Sequence, residues 1–172
     1  LQTLAFYNAV ANNGELLKPV FVNKFSYLGI KNNITQKIVL NPSICSKETL
    51  SKVKLMLESV VNDEGGTAYN IRSKEFKIAG KTGTCQVDYE TDDVQYISTF
   101  VGYFPAEKPK YSCIVVIHKP NKNKGYYGST VAAPVFKKIA DKLYSITPEI
   151  KAEYTFKNIN NIKPNINKIK FN

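Results

Sequence analysis

Phe76-Lys77-Ile78-Ala79-Gly80-Lys81-Thr82-Gly83-Thr84-Cys85 reads as a strand that carries chemistry, and it predicts a strand over 76–86. Lys81 offers a fixed positive charge to a carboxylate, and the small hydroxyls of Thr82 and Thr84 offer hydrogen bonds to it. Gly83 has no side chain, which leaves room for a ligand backbone to approach. An edge strand with this set of groups suits pairing with an extended peptide by strand addition. Gly80-Lys81-Thr82 also matches the end of a phosphate-binding loop. That loop needs glycine where Glu75 stands and a helix straight after Lys-Thr, whereas Gly83-Thr84 continues as strand. The phosphate reading is therefore rejected.

Outward from this strand the pattern is mixed. A polar, acidic loop follows, Asp88 to Asp93. Two further strands, Gln95 to Phe104 and Lys110 to His118, are rich in aromatic and β-branched residues. Pro105-Ala106-Glu107-Lys108-Pro109 between them suits a hairpin. A loop over 119–129, with Pro120, Gly125 and Gly128, leads into a helix from about Thr130 to Tyr144. Its expected apolar face is Val131, Val135, Ile139 and Leu143, and Pro134 sits in its first turn, where a missing N–H costs least. Upstream, 47–62 predicts a helix with Ser46 as N-cap and Leu50, Val53, Leu57, Val60 and Val61 on one stripe. Residues 1–13 predict another, with Leu1, Leu4, Ala5 and Val10 facing inward and Asn12-Asn13-Gly14 as its stop. Residues 15–45 are irregular or short strand. The fold class is α+β: helices, then three antiparallel strands, then a helix over one sheet face. After Pro148 the apolar spacing weakens, so 146–172 is expected to be a basic Asn/Lys/Ile-rich tail or linker.

The 172 residues suffice for one modest domain, and a content of 43% hydrophobic residues marks a globular chain. The longest apolar run, Cys113 to Ile117, is too short to span a bilayer. The chain opens at Leu1, inside a predicted helix, with no charged-then-apolar leader; residues upstream, with any anchor or export signal, are expected. The net charge of +10 comes from lysines spread along the whole chain, with Arg72 the only arginine. The arginine forks that read guanine or clamp phosphate are absent, so no nucleic-acid role is expected.

Cys45, Cys85 and Cys113 form no Cys-x-x-Cys pair, and an odd number cannot pair fully within one chain. Cys113, in an apolar strand, is expected to pack as a small hydrophobe. With His118 the single histidine, neither a metal site nor a Ser–His–Asp arrangement is expected, and no cofactor is called for. Ser51-Lys52-Val53-Lys54 matches the nucleophile pattern Ser-x-x-Lys, but Ser51 and Lys54 flank the apolar stripe from its polar side; a solvated helix face is expected. No Ser-x-Asn or Tyr-x-Asn occurs.

Lys81-Thr82-Gly83 is one of the three signatures of serine transpeptidases and β-lactamases, the others being Ser-x-x-Lys and Ser-x-Asn. The flanks widen the likeness. They are Leu1-Gln2-Thr3-Leu4 through Tyr7-Asn8-Ala9-Val10-Ala11-Asn12-Asn13-Gly14; Val60-Val61 with Gly66-Thr67-Ala68; Ile78 through Gln86; Phe100-Val101-Gly102-Tyr103-Phe104-Pro105; and Tyr127-Gly128-Ser129 through Val131-Ala132-Ala133-Pro134-Val135-Phe136. In this order the blocks resemble the C-terminal part of a class B penicillin-binding protein, the monofunctional transpeptidase of septal or cell-elongation wall synthesis. The resemblance covers roughly residues 1–145. Cys85 departs from it, since that position is more often Ala.

The resemblance implies a partial β-lactamase/transpeptidase-like fold that lacks the N-terminal strands and the helical subdomain. It implies a D,D-transpeptidase in which a serine outside this chain attacks D-Ala-D-Ala and a neighbouring stem peptide's amine takes the acyl group. Lys81, Thr82, Gly83 and Thr84 are then the substrate-binding set. Lys81 assists proton relay, and the Thr84 backbone N–H forms half of the oxyanion hole. The implied partners are the stem peptide, β-lactam antibiotics, the remainder of the domain, and divisome or elongasome proteins. The implied place is the extracytoplasmic face of the cytoplasmic membrane. The chain alone is expected to be inactive. The alternatives are a β-lactamase-like hydrolase and a non-catalytic module that binds peptidoglycan or a partner.

Overall fold

A computed structural model describes residues 1–22, 24–27, 30–33, 37–87 and 94–147. The acidic loop expected at Asp88 to Asp93 and the tail beyond 147 lie outside the described residues. The elements in order are α1 (Gln2–Ala11), β1 (Leu16–Leu17), β2 (Lys24–Tyr27), β3 (Ile30–Asn33), β4 (Val39–Asn41), α2 (Lys47–Asn62), a 3-10 turn (Tyr69–Ile71), β5 (Ala79–Val87), β6 (Gln95–Phe104), β7 (Tyr111–His118), a second 3-10 turn (Lys122–Lys124), α3 (Gly128–Val131) and α4 (Ala133–Ile146).

The main sheet is antiparallel in the order β5-β6-β7, and two small antiparallel pairs, β1 with β4 and β2 with β3, stand apart from it. β6 is central and is covered on both faces. Phe100 and Phe104 point to one face and join Phe76, Ile78, Ala133, Phe136 and Ala140 in a buried cluster. Tyr103 points to the other and packs with Val10, Ala11, Leu50, Leu57 and Ala79. The two-residue period of a strand thus places α4 on one side, and α1 with most of α2 on the other.

α2 spans the residues expected of it. The Ser46 hydroxyl accepts the Thr49 N–H at 3.1 Å, as an N-cap should, and Leu50, Leu57 and Val61 are buried. Its C-terminal end is tied to the start of β5 by Asn62, whose amide donates to Ile78 O at 2.9 Å. β6 also keeps its expected bounds, whereas β5 begins at Ala79 rather than Phe76. Phe76 and Ile78 lie before the strand, and both are buried in the core.

Two helix faces differ from expectation. In α1 the buried residues are Ala9, Val10 and Ala11, and Leu1 is 67% exposed. In α4 Val135 and Ile139 are exposed, 40% and 37%, while Ala133, Phe136, Ala140 and Tyr144 are buried. Two aromatic rings bury more area than two branched aliphatics, and the alanines let the helix approach the sheet. The single helix expected from Thr130 is also two. α3 ends and α4 begins at Ala132, because Pro134 has no N–H to continue the ladder from the preceding turn.

Candidate active site

β5 lies at one border of the sheet, with β6 as its neighbour on one side and no strand on the other among the described residues. Its buried entrance, Ala79-Gly80, gives way at Lys81 to exposed and half-buried residues. Lys81 is opposite Val101, Thr82 opposite Phe100, Gly83 opposite Thr99 and Thr84 opposite Ser98. The alternation sends Lys81 and Gly83 to one face, and Thr82 and Thr84 to the other.

The exposed ammonium of Lys81 donates to Thr82 O at 2.9 Å and to Thr82 Oγ1 at 3.3 Å. Thr82 Oγ1 in turn lies 3.2 Å from Thr67 Oγ1. Thr84 Oγ1 accepts the N–H of Gly128 at 3.0 Å. On one flank of Lys81 an open groove of ≈660 Å³ runs along α2, floored by Leu55, Met56 and Val60 and closed by Gly66 and Thr67. Lys81, Thr82 and Thr67 thus meet at a strand border with no strand partner among the described residues, while the Thr84 hydroxyl lies further along the strand against Gly128. That set grips a carboxylate and lets a peptide backbone lie alongside.

Gly83 also faces a neighbouring side chain. A Cβ there would stand 2.5 Å from Thr99 Oγ1, so the glycine makes room for the neighbouring strand's side chain. In the Ser-x-x-Lys match the two polar groups have separate partners. Burial pulls the Lys54 ammonium below its ordinary pKa, with Glu58 opposing, as a general base would require. Its Nζ nevertheless donates to Asn13 Oδ1 at 2.8 Å, while the Ser51 hydroxyl donates to Lys47 O within the helix at 2.9 Å. His118 ends β7, exposed. The three cysteines are free, and Cys113 packs against the core, where burial pushes its thiol up.

Thr67, Asn70 and Gly128 were given no role in the sequence reading. Thr67 reaches Thr82 and Gly128 reaches Thr84, and Asn70 donates its amide to Ser129 O, next to Gly128, at 3.0 Å. The signal was present as the blocks Gly66-Thr67-Ala68 and Tyr127-Gly128-Ser129, but nothing in the chain order says that they flank β5.

The family model for the penicillin-binding protein transpeptidase domain matches residues 1–141. The chain belongs to the penicillin-binding protein transpeptidase domain family. Relatives of this chain include the peptidoglycan D,D-transpeptidase FtsI of Buchnera aphidicola subsp. Baizongia pistaciae, 34% identical over 148 residues that cover 85% of this chain. They also include the probable peptidoglycan D,D-transpeptidase PenA of Neisseria flavescens, 32% identical over 141 residues and 81% of this chain. The chain spans 24% of the first relative's length and 32% of the second's. Among solved structures, the transpeptidase domain of Burkholderia pseudomallei penicillin-binding protein 3 superposes with a TM-score of 0.62 at 29% identity, over 85% of this chain and 42% of that one. The fold class expected from the sequence, mixed helix and antiparallel sheet, is the one found. No described helix is long and apolar enough to cross a membrane.

Proposed function

We propose that residues 1–145 form the border-strand side of a peptidoglycan D,D-transpeptidase site, with 146–172 as a tail or linker. The observation that carries this reading is the Lys81-Thr82-Gly83-Thr84 strand, whose outer border has no strand partner among the described residues, with the exposed Lys81 lining an open groove. The chain's membership in the transpeptidase family supports it.

In this reading the ligand is a stem peptide ending in D-Ala-D-Ala, or a β-lactam that imitates it. The substrate's terminal carboxylate displaces the contact between Lys81 and Thr82 O, because a charge-assisted bond to a carboxylate is the stronger one. Thr82 and Thr84 donate their hydroxyls to the same carboxylate, and the Thr84 backbone N–H faces the developing oxyanion. A serine from the sequence preceding this chain attacks the penultimate D-Ala carbonyl. Its hydroxyl proton ends on the departing D-alanine's amine, with Lys81 in the relay. The amine of a second stem peptide then takes the acyl group, releasing the serine. Partners are the rest of the transpeptidase domain and proteins of the division or elongation machinery, at the extracytoplasmic face of the cytoplasmic membrane. No cofactor or metal takes part.

Fluorescent penicillin tests the proposal on the chain alone and on the chain joined to the sequence that precedes it. Only the joined protein is expected to be labelled, and Lys81→Ala in it should slow labelling about 10²-fold or more, the size of a lost acid–base contribution. A stable adduct on Ser51 or any other serine of the chain alone would overturn the proposal, as would unchanged labelling of the Lys81→Ala protein.

A further inference from the structure

The backbone at Gly128 approaches the functional strand more closely than any side chain permits. A Cβ there would stand 2.3 Å from Thr99 O and 2.6 Å from Gly83 O, both backbone atoms that cannot rotate away. At this approach the Gly128 N–H reaches across 44 residues of sequence to Thr84 Oγ1 at 3.0 Å. The segment is held there from two sides. Ser98, fully buried, gives its hydroxyl to Tyr126 O, and the Tyr126 ring stacks on Tyr96 with centroids 4.1 Å apart. Beyond Gly128, Ser129 O receives the Asn70 amide.

The direction of the Gly128–Thr84 bond matters. An amide N–H only donates, so Thr84 Oγ1 accepts and keeps its own proton to give. Threonine is stiff at χ1, and a fixed donor on its oxygen selects one rotamer in advance of binding. Ordering that hydroxyl beforehand removes an entropy cost that ligand binding would otherwise carry.

We infer that Gly128 is a positioning residue for the carboxylate grip: its N–H holds Thr84 in the rotamer that aims the hydroxyl proton at the ligand. The inference rests on the carboxylate role proposed for Thr84. Gly128 acts through Thr84 and does not itself touch the ligand, which distinguishes it from Lys81 and Thr82.

The test uses the complete protein that contains this chain, with benzylpenicillin as the probe. The concentration dependence of acylation separates the dissociation constant of the pre-acylation complex from the acylation rate constant. Thr84→Val, which keeps the backbone N–H, and Gly128→Ala are each expected to raise the dissociation constant about tenfold, roughly the value of one hydrogen bond to a charged group, and to change the acylation rate constant less. Because one residue works through the other, the double variant should be no weaker than Thr84→Val alone. Losses that multiply in the double variant would overturn the inference while leaving Thr84 a carboxylate ligand. Wild-type affinity in Thr84→Val would bring down the proposed role of Thr84 and the inference with it. Should Gly128→Ala fail to fold, hydrogen exchange of the Gly128 amide decides. Its protection should fall in Thr84→Val and persist in Thr84→Ser, and equal protection in wild type and Thr84→Val overturns the inference.

Discussion

Tyr103 is the residue at which sequence pattern and packing disagree most sharply. It lies fully buried among Val10, Leu57 and Ala79, yet its hydroxyl has no hydrogen-bond partner among the described residues. Burial pushes its phenol well above the ordinary range, and the charge of Glu58 pushes the same way. An unpaired buried hydroxyl costs roughly 1–3 kcal/mol, so Tyr103→Phe should raise unfolding stability by about 1 kcal/mol or more in urea titrations. The pH dependence follows from the raised pKa. The unfolded phenol loses its proton near pH 10 while the folded one keeps it, so wild-type stability falls as pH climbs past about 10. The advantage of Tyr103→Phe should therefore widen above that pH. A destabilised Tyr103→Phe protein would mean that the hydroxyl has a partner after all.

Among the helices, α2 was legible because everything that defines it is local. Its cap residue, its apolar stripe and its glycine stop all lie within one stretch, Ser46 to Gly66. α4 was legible only as a helix. The sequence from Val131 to Tyr144 holds two apolar stripes side by side: Val131, Val135, Ile139 and Leu143, or Ala133, Phe136, Ala140 and Tyr144. Hydropathy favours the first, and contact with the sheet selects the second, where Phe136 meets Phe100 with ring centroids 4.8 Å apart and Tyr144 stacks on Phe76 at 4.6 Å. Phe136→Ala should accordingly cost about 3–5 kcal/mol, against roughly 0.5 kcal/mol or less for Val135→Ala, in chemical denaturation of the two variants. Equal losses would restore the first stripe.

The molecule holds together where β5 meets β6. That pairing carries Ala79 into one buried cluster, while Phe100 and Phe104 belong to the other. Gly80 and Gly102 stand opposite each other in it. A Cβ on Gly102 would come within 2.3 Å of Ala79 O, and one on Gly80 within 2.6 Å of Val101 O. Gly102→Ala should therefore shift backbone in both strands. The expected loss is about 1–3 kcal/mol in thermal unfolding, with near-UV circular dichroism reporting looser aromatic packing on both faces. A variant as stable as the wild type would show that the two strands separate freely at this point.

Short-range physics made much of this chain readable. Helix capping and the 3.6-residue period mark α2, alternation marks β6, and four consecutive residues carry the candidate grip, since covalent neighbours on a strand stay together whatever else folds. Long-range contact settled the remainder. Thr67 meets Thr82, Gly128 meets Thr84, and Thr99 fills the space above Gly83, each across a chain separation that no local pattern encodes. The buried stripe of α4 and the stranded hydroxyl of Tyr103 are of the same kind. Burial is a property of which surfaces close on one another, and that is set only when helices and sheet pack.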